Sequence, residues 1–269
     1  MAFIDLHCHM LPGIDDGAKS TEQALAMARQ AQADGIRSVV VTPHHLNGVY
    51  LNLAEDIRQA VRAFKLLTLA NGIGIQLLPG SELHLVPELP DALERGEAMT
   101  IADRGRAVLV ELPVFTVPVG ADQILDDLLG MGLTPVIAHP ERNRALAERP
   151  ERLADWVERG CLAQVTAQSC TGAFGTVSQN AAKTMIGNGW IHVMASDAHR
   201  DRRRIPQLSL GRDMVASWTS PELARLLVLA YPKALINGQD VDRSLLLQAL
   251  AALPGQQQRR PWWRLFRRS

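Results

Sequence analysis

Seven short runs of the chain are apolar without alternating: FIDLH (3–7), SVVVT (38–42), IQLLP (75–79), AVLVE (107–111), TPVIAH (134–139), CLAQVT (161–166) and IHVMAS (191–196). A strand covered on one face alternates apolar with polar residues, so unbroken runs predict strands buried on both faces. Most of the stretches between them carry a helical period, at 21–33, 53–70, 121–131, 151–159 and 177–188. Strand, helix, strand repeated at this spacing predicts right-handed parallel crossovers. Seven such units without a glycine-rich dinucleotide turn predict a closed or nearly closed (β/α)7 barrel rather than a Rossmann sheet. Helical segments at 221–229 and 243–253 follow the last strand, and no Ser/Gly/Pro-rich linker breaks the body. The expected organisation is one domain over residues 1–253 and a tail over 254–269.

With 269 residues and 47% hydrophobic content, the chain has ample material for a packed core. It carries 28 basic and 28 acidic residues, a balance that points away from nucleic acid or an acidic polymer as partner. The tail changes this locally. Gln256 to Ser269 holds Arg259, Arg260, Arg264, Arg267 and Arg268 and no acid, which leaves 23 basic to 28 acidic residues elsewhere. If Pro261 starts a helix, Trp262, Trp263, Leu265 and Phe266 fall on one side and Arg264, Arg267 and Arg268 on the other, which suits contact with an anionic membrane surface over Pro261 to Ser269. A disordered tail, or one folded onto the body, is the plainer alternative. Cys8, Cys161 and Cys170 are odd in number and scattered, so no disulfide framework is expected and a reducing cytoplasm is the simplest location. Asp5 and His7 interrupt the apolar core that a signal peptide needs, and no uncharged run approaches the roughly 20 residues of a membrane span.

Barrel enzymes place their chemistry at the C-terminal ends of the strands. Here the first strand ends at His7 and His9, which share a face because side chains alternate, while Cys8 points the other way. The second ends at His44 and His45, the third just before Glu82, the fourth at Glu111, the fifth at His139, and the seventh at Asp197 and His199. Only the sixth, ending near Thr166 and Gln168, lacks a strong metal ligand. One such residue alone is more often a cap or a solvated group. His7, His9, Asp16, His44, Glu82, Glu111, His139, Asp197 and His199 make nine donors, too many for one ion, and imidazole with carboxylate but no thiolate suits Zn, Mn or Fe(II).

The runs DLHCHMLPGIDDG, TPHH, GSE, VELP, AHPER, QVTAQSCTGAFG and ASDAH, in that order from about Ile4 to Pro206, resemble the polymerase-and-histidinol-phosphatase (PHP) superfamily. Within it the chain is similar to the bacterial capsule and exopolysaccharide protein-tyrosine phosphatases of the CpsB/CapC kind. That resemblance implies a distorted (β/α)7 barrel with two or three divalent metal ions, usually Mn(II), with Fe or Zn as alternatives. It also implies removal of phosphate from the tyrosine-rich tail of a membrane-anchored bacterial tyrosine kinase. Carried over by position, His7, His9, Glu82 and Asp197 hold one ion, and Glu82 bridges to a second held by Glu111 and His139. Asp16, His44 and His199 hold the third. The implied phosphate-binding residues are Arg142 and Arg204, which with His44 and His199 complete the implied catalytic set. Arg202 and Arg203 adjoin Arg204, whose usual preceding glycine is replaced; LHL stands where aromatics often follow Glu82, and Asn143 where a tyrosine often stands. His45 and His84 are expected at the rim, behind the ligands, or on the surface.

The residues support phosphate ester hydrolysis on their own account. Four carboxylates against three divalent ions leave a net charge of about plus two, which favours a phosphate dianion. A tyrosyl phenolate, with a free pKa of about 10, leaves with little protonation. A cysteine-nucleophile phosphatase needs arginine six residues after the cysteine, where this chain has Ile14, Ala167 and Thr176. A Walker loop is absent, and none of Lys19, Lys65, Lys183 and Lys233 stands at a strand end as the bridging lysine of many amidohydrolases does. Two alternatives stay open: a phosphoesterase for a small monoester such as histidinol phosphate, and an inactive module that binds the kinase. The oligomeric state is open as well.

Overall fold

The computed structural model describes residues 2–253, so the basic tail expected over 254–269 lies outside the described residues. Its strands are β1 (Phe3–Cys8), β2 (Ile36–Val41), β3 (His44–His45), β4 (Gln76–Pro79), β5 (Glu82–His84), β6 (Ala107–Glu111), β7 (Thr134–Ala138), β8 (Leu162–Thr166) and β9 (Val193–Ala195). Each of the seven apolar runs overlaps one of them. The additions, β3 and β5, continue β2 and β4 beyond Pro43 and beyond Gly80–Ser81, where the backbone breaks step. A side chain at Gly80 would put its Cβ 2.6 Å from Val40 Cγ1, so only glycine lets the two strands stay close across the break. All pairing is parallel, in the orders β1-β2-β4 and β3-β5-β6-β7-β8-β9. The chain thus has an α/β fold with parallel sheets joined by helical crossovers.

The unbroken apolar runs are explained by burial of both strand faces. Val39, Val41, Val108, Val110, Ile137, Ala163 and Val165 pack against helix residues such as Met27, Phe64, Leu125 and Trp156. On the opposite face, Ile4, Leu6, Val40, Leu78, Leu109, Val136, Leu162 and Val193 form a second cluster with Leu235 and Ile236. In β1 the alternation slips once: Leu6 belongs to the second cluster and Cys8 to the first, and the pairing with β2 shifts register between Asp5 and Cys8. A bulge of this kind re-aims side chains at a strand end.

The expected helices form at Thr21–Asp34, Ala54–Ala70, Ala121–Gly130, Glu151–Arg159, Thr176–Gly187 and Arg243–Ala251. The first is capped by Ser20, whose side chain accepts from Gln23 N–H. The helix expected over 221–229 runs farther, as Pro221–Arg225, a π turn at Leu226–Ala230 and Tyr231–Ile236. Pro232 explains the widening, because its ring displaces the carbonyl four residues back and it has no N–H to donate. The helix Ser209–Trp218 has no local start signal; Asp34, distant in sequence, accepts from Leu208 N–H at 2.7 Å and Ser209 N–H at 3.0 Å. Among the described residues no helix is long and apolar enough to cross a membrane.

Candidate metal centre

Nine imidazole and carboxylate side chains from the strand ends and the loops after them meet in one bowl. Their ligand atoms fall into four overlapping groups: His7, His9, Asp197; His7, Glu82, His139; His44, Glu82, Glu111; and His9, Asp16, His44, His199. All nine residues named from the sequence are brought together. The division into three sets is less sharp than the resemblance implies, because His44 lies between Asp16 and Glu82 and His9 touches two groups. Glu82 sits at the middle: Oε1 is 3.2 Å from His7 Nε2 and 3.0 Å from His139 Nε2, while Oε2 is 3.3 Å from His9 Nε2 and 3.0 Å from His44 Nδ1. Asp197 Oδ1 lies 3.3 Å from His7 Nε2 and 3.5 Å from His9 Nε2.

Local backbone makes this convergence possible. β1 is tied to the loop after β9 by His9 N–H to Ala198 O and Asp197 N–H to His7 O, both 2.8 Å, and Asp5 accepts from Ser196 N–H at 2.9 Å. His139 (φ 31°), Asp197 (φ 50°) and Arg204 (φ 50°) adopt left-handed conformations, which cost non-glycine residues energy and are held here by the surroundings. Gly17 lets the Asp15–Asp16 turn fold onto His9, since a Cβ there would lie 2.1 Å from His9 O.

The electrostatics call for positive charge between these groups. Burial opposes protonation of His7 and His9, but Glu82 and Asp197 outweigh it at His7, and Asp15 leads at His9, so both imidazoles are raised, His9 well above its usual value. His44, despite its burial, is raised to about 10 by Glu82 and Asp16. Burial and the neighbouring charge of His9 instead lower His199 to about 4. Against burial, the surrounding imidazoles hold Glu82 well below the usual carboxylate range, and His7 with Arg204 does the same for Asp197. Asp16 Oδ1, His44 Nδ1, Glu82 Oε2 and Asp197 Oδ1 are buried and make no well-formed hydrogen bond. Acceptor-rich, buried and unsatisfied, this donor set fits divalent cations.

Two supports were not legible as such in the sequence. Asp15, which reads as a plain turn residue, lies 2.7 Å from His9 Nδ1 through Oδ2 and accepts from Gly17 N–H at 2.8 Å. Gln164, inside the strand whose end lacks a ligand, places Oε1 2.9 Å from His7 Nδ1. A carboxylate or amide oxygen accepts, so each imidazole carries its proton on Nδ1 and turns Nε2 to the centre, as metal-bound histidines do. A lone glutamine inside CLAQVT was the available signal. Glu141 was also missed: its buried carboxylate accepts from Ser169 Oγ at 2.6 Å and Thr166 N–H at 3.0 Å, which fastens the Pro140–Arg142 turn to the end of β8.

Arg142 and Arg204 converge on one atom. Both donate to Asp197 Oδ2, Arg204 from Nη2 at 2.5 Å. Arg202 and Arg203 are exposed, so Arg204 is the one turned inward. The Arg142 guanidinium also stands over the Phe174 ring, 4.6 Å from its centroid, and Tyr50 stacks beside His44 at 6.1 Å. Asn143 is not at a solvent-facing rim: it is buried and clamps the neighbouring loop, donating to Pro113 O at 2.7 Å and Thr116 O at 2.9 Å. His45 departs from a rim position too, being buried on the side away from the bowl with neither ring nitrogen hydrogen-bonded. All three cysteines are buried, and burial raises their thiols, Cys161 to about 12, so none is a ready nucleophile.

Comparison with known proteins agrees in fold and family. Tyrosine-protein phosphatase YwqE of Bacillus subtilis is 38% identical over 201 residues, 75% of this chain and 79% of that one. Tyrosine-protein phosphatase CpsB of Streptococcus pneumoniae is 27% identical over 241 residues, 88% and 99% of the two chains. A crystal structure from work on YwqE and CpsB, described as unique metal-dependent tyrosine phosphatases, superposes with a TM-score of 0.85 at 34% identity over 88% of this chain and 96% of that one. The lactonase Lmo2620 of Listeria monocytogenes shares the fold alone, with a TM-score of 0.52 at 11% identity over 91% and 94%. Residues 3–237 match the family described as capsular polysaccharide synthesis, CpsB/CapC, and the chain belongs to that family.

Proposed function

We infer that the protein is a metal-dependent tyrosine phosphatase whose nine-donor bowl works with Arg142 and Arg204 on a phosphate monoester. The observation that carries this reading is the meeting of those imidazoles and carboxylates, most of them buried, with two arginines that both donate to Asp197 Oδ2. The family and its tyrosine-phosphatase relatives support it. We read the two sheets as one distorted (β/α)7 barrel, a reading supported by the hydrogen bonds that tie β1 to the β9 loop.

His7, His9, Asp16, His44, Glu82, Glu111, His139, Asp197 and His199 would hold two or three divalent ions, Mn(II) first and Fe or Zn next. Bound there, such ions supply Lewis acidity and bring the pKa of water towards neutrality. The chain's own part is positional and electrostatic. Arg142 and Arg204, which share Asp197 Oδ2, are placed to donate to the nonbridging oxygens of a phosphate and to take up the charge that grows there. Gln164 and Asp15 keep His7 and His9 in the tautomer that turns Nε2 inward. The Phe174 and Tyr50 rings beside Arg142 and His44 favour an aromatic ester.

The substrate in this reading is phosphotyrosine on the tail of a membrane-anchored bacterial tyrosine kinase that governs capsule or exopolysaccharide export, met in the cytoplasm at the inner face of the membrane. Turnover of a phosphotyrosine peptide and of histidinol phosphate by the Mn(II)-loaded chain tests it. The peptide should be preferred by kcat/KM, and a preference for the small ester would overturn the substrate assignment.

A further inference from the structure

We propose that His84 is a positioning residue for the Glu111 carboxylate, a tenth member of the centre that holds one of its ligands in place. The inference rests on the metal-centre reading above. In β5, Leu83 is fully buried in the core on one face, so Glu82 and His84 both stand on the other, the face of the bowl. The β5–β6 register sets His84 directly opposite Glu111. Its Nδ1 lies 3.7 Å from Glu111 Oε2, and that nitrogen is buried with no hydrogen-bond partner.

Glu111 has need of such a donor. His7 is steadied by Gln164 and His9 by Asp15, and Glu82 is wedged among four imidazoles. Glu111 is 18% exposed, and its oxygens come no nearer than 3.6 Å to His44 Nδ1 and 3.7 Å to His139 Nε2. A carboxylate at the lip of a bowl with no fixed donor can turn away between rotamers. A shift of about half an ångström brings His84 Nδ1 within hydrogen-bond range of Oε2. That bond holds Oε2 from the lip while Oε1 stays towards His139. Orientation of a ligating carboxylate by a neighbouring donor is a common support of metal affinity.

The test uses the full-length chain stripped by chelator, with Mn(II) binding measured by competition titration for wild type, His84→Ala, His84→Asn and Glu111→Ala. The asparagine amide nitrogen can occupy the position of Nδ1, donating as it does without ligating a metal. His84→Ala should weaken Mn(II) binding about 10-fold or more, and His84→Asn should recover most of that loss. Thermal unfolding of the metal-free variants should match wild type, which separates the effect from misfolding. Wild-type binding by His84→Ala, or binding by His84→Asn as weak as by His84→Ala, would overturn the proposal. Glu111→Ala separates the two levels: tight binding there contradicts the metal role of Glu111, whereas weakened binding there with none in His84→Ala contradicts the His84 inference alone.

Discussion

Gln164 and His7, remote in sequence, are held 2.9 Å apart, amide oxygen to Nδ1. This contact dictates which ring nitrogen of His7 is free for the centre. Gln164→Leu keeps most of the volume and removes the acceptor, so the ring can rotate or change tautomer. We expect Mn(II) affinity to drop on the order of 10- to 100-fold with the fold intact. Metal titration of the variant checks this, alongside circular dichroism to verify folding.

Arg142 and Arg204 both donate to Asp197 Oδ2, and the loss of either removes a charge-assisted donor from the phosphate site. Arg142→Ala should lower kcat/KM for a phosphotyrosine peptide by about 100-fold, on the order of 3 kcal/mol. Arg202→Ala, which alters an exposed neighbour, should stay near wild type. Steady-state kinetics of the two variants make the comparison.

Much of this architecture was legible because both strand faces are apolar. AVLVE marks β6 to the residue, and histidines or acids at strand ends are conspicuous against such runs. The short strands β3 and β5 were not legible, since two or three residues after Pro43 or Gly80 carry no period of their own. Nor was Ser209–Trp218, whose cap comes from Asp34. The ligands stood out by residue type, but their supports did not. Asp15 is chemically a turn residue until His9 folds onto it, and Glu141 looks like any surface acid until Ser169 and Thr166 enclose it. Such roles depend on contacts between distant parts of the chain.

His192 supplies a pH dependence separate from the metal centre. Burial first, and then the charge of Arg243, depress its pKa to about 3 from an ordinary value of 6.5. Between those values the unfolded chain binds the extra proton, so this stability is present above pH 6.5 and is lost as pH falls towards 3. Metal-free protein should lose about 2 kcal/mol through this group between pH 7 and pH 5. His192→Asn can still accept from Ala163 N–H, as Nδ1 does at 3.3 Å, but cannot titrate. Urea unfolding at the two pH values should give a correspondingly flatter dependence in the variant; equal slopes would count against the assignment.

The basic, Trp-containing tail is proposed as a weak membrane tether, on its sequence alone. Each basic residue near an anionic surface contributes about 1 kcal/mol, and tethering raises the local concentration of a membrane-anchored substrate. Removal of residues 256–269 should leave turnover of a soluble phosphopeptide unchanged and reduce co-sedimentation with anionic vesicles. Equal vesicle binding by both proteins at low salt would discard the tether.

The central claim is that the nine-donor bowl is a metal-dependent catalytic centre for phosphotyrosine. Its most direct test is hydrolysis of a phosphotyrosine peptide by one preparation assayed as isolated, after exhaustive chelation, and after addition of Mn(II), with metal content measured in each. Activity should vanish with the metal, return with Mn(II), and remain lost in Asp197→Ala, which removes a carboxylate that both His7 and His9 face. Full turnover by a sample proven free of metal would contradict the account.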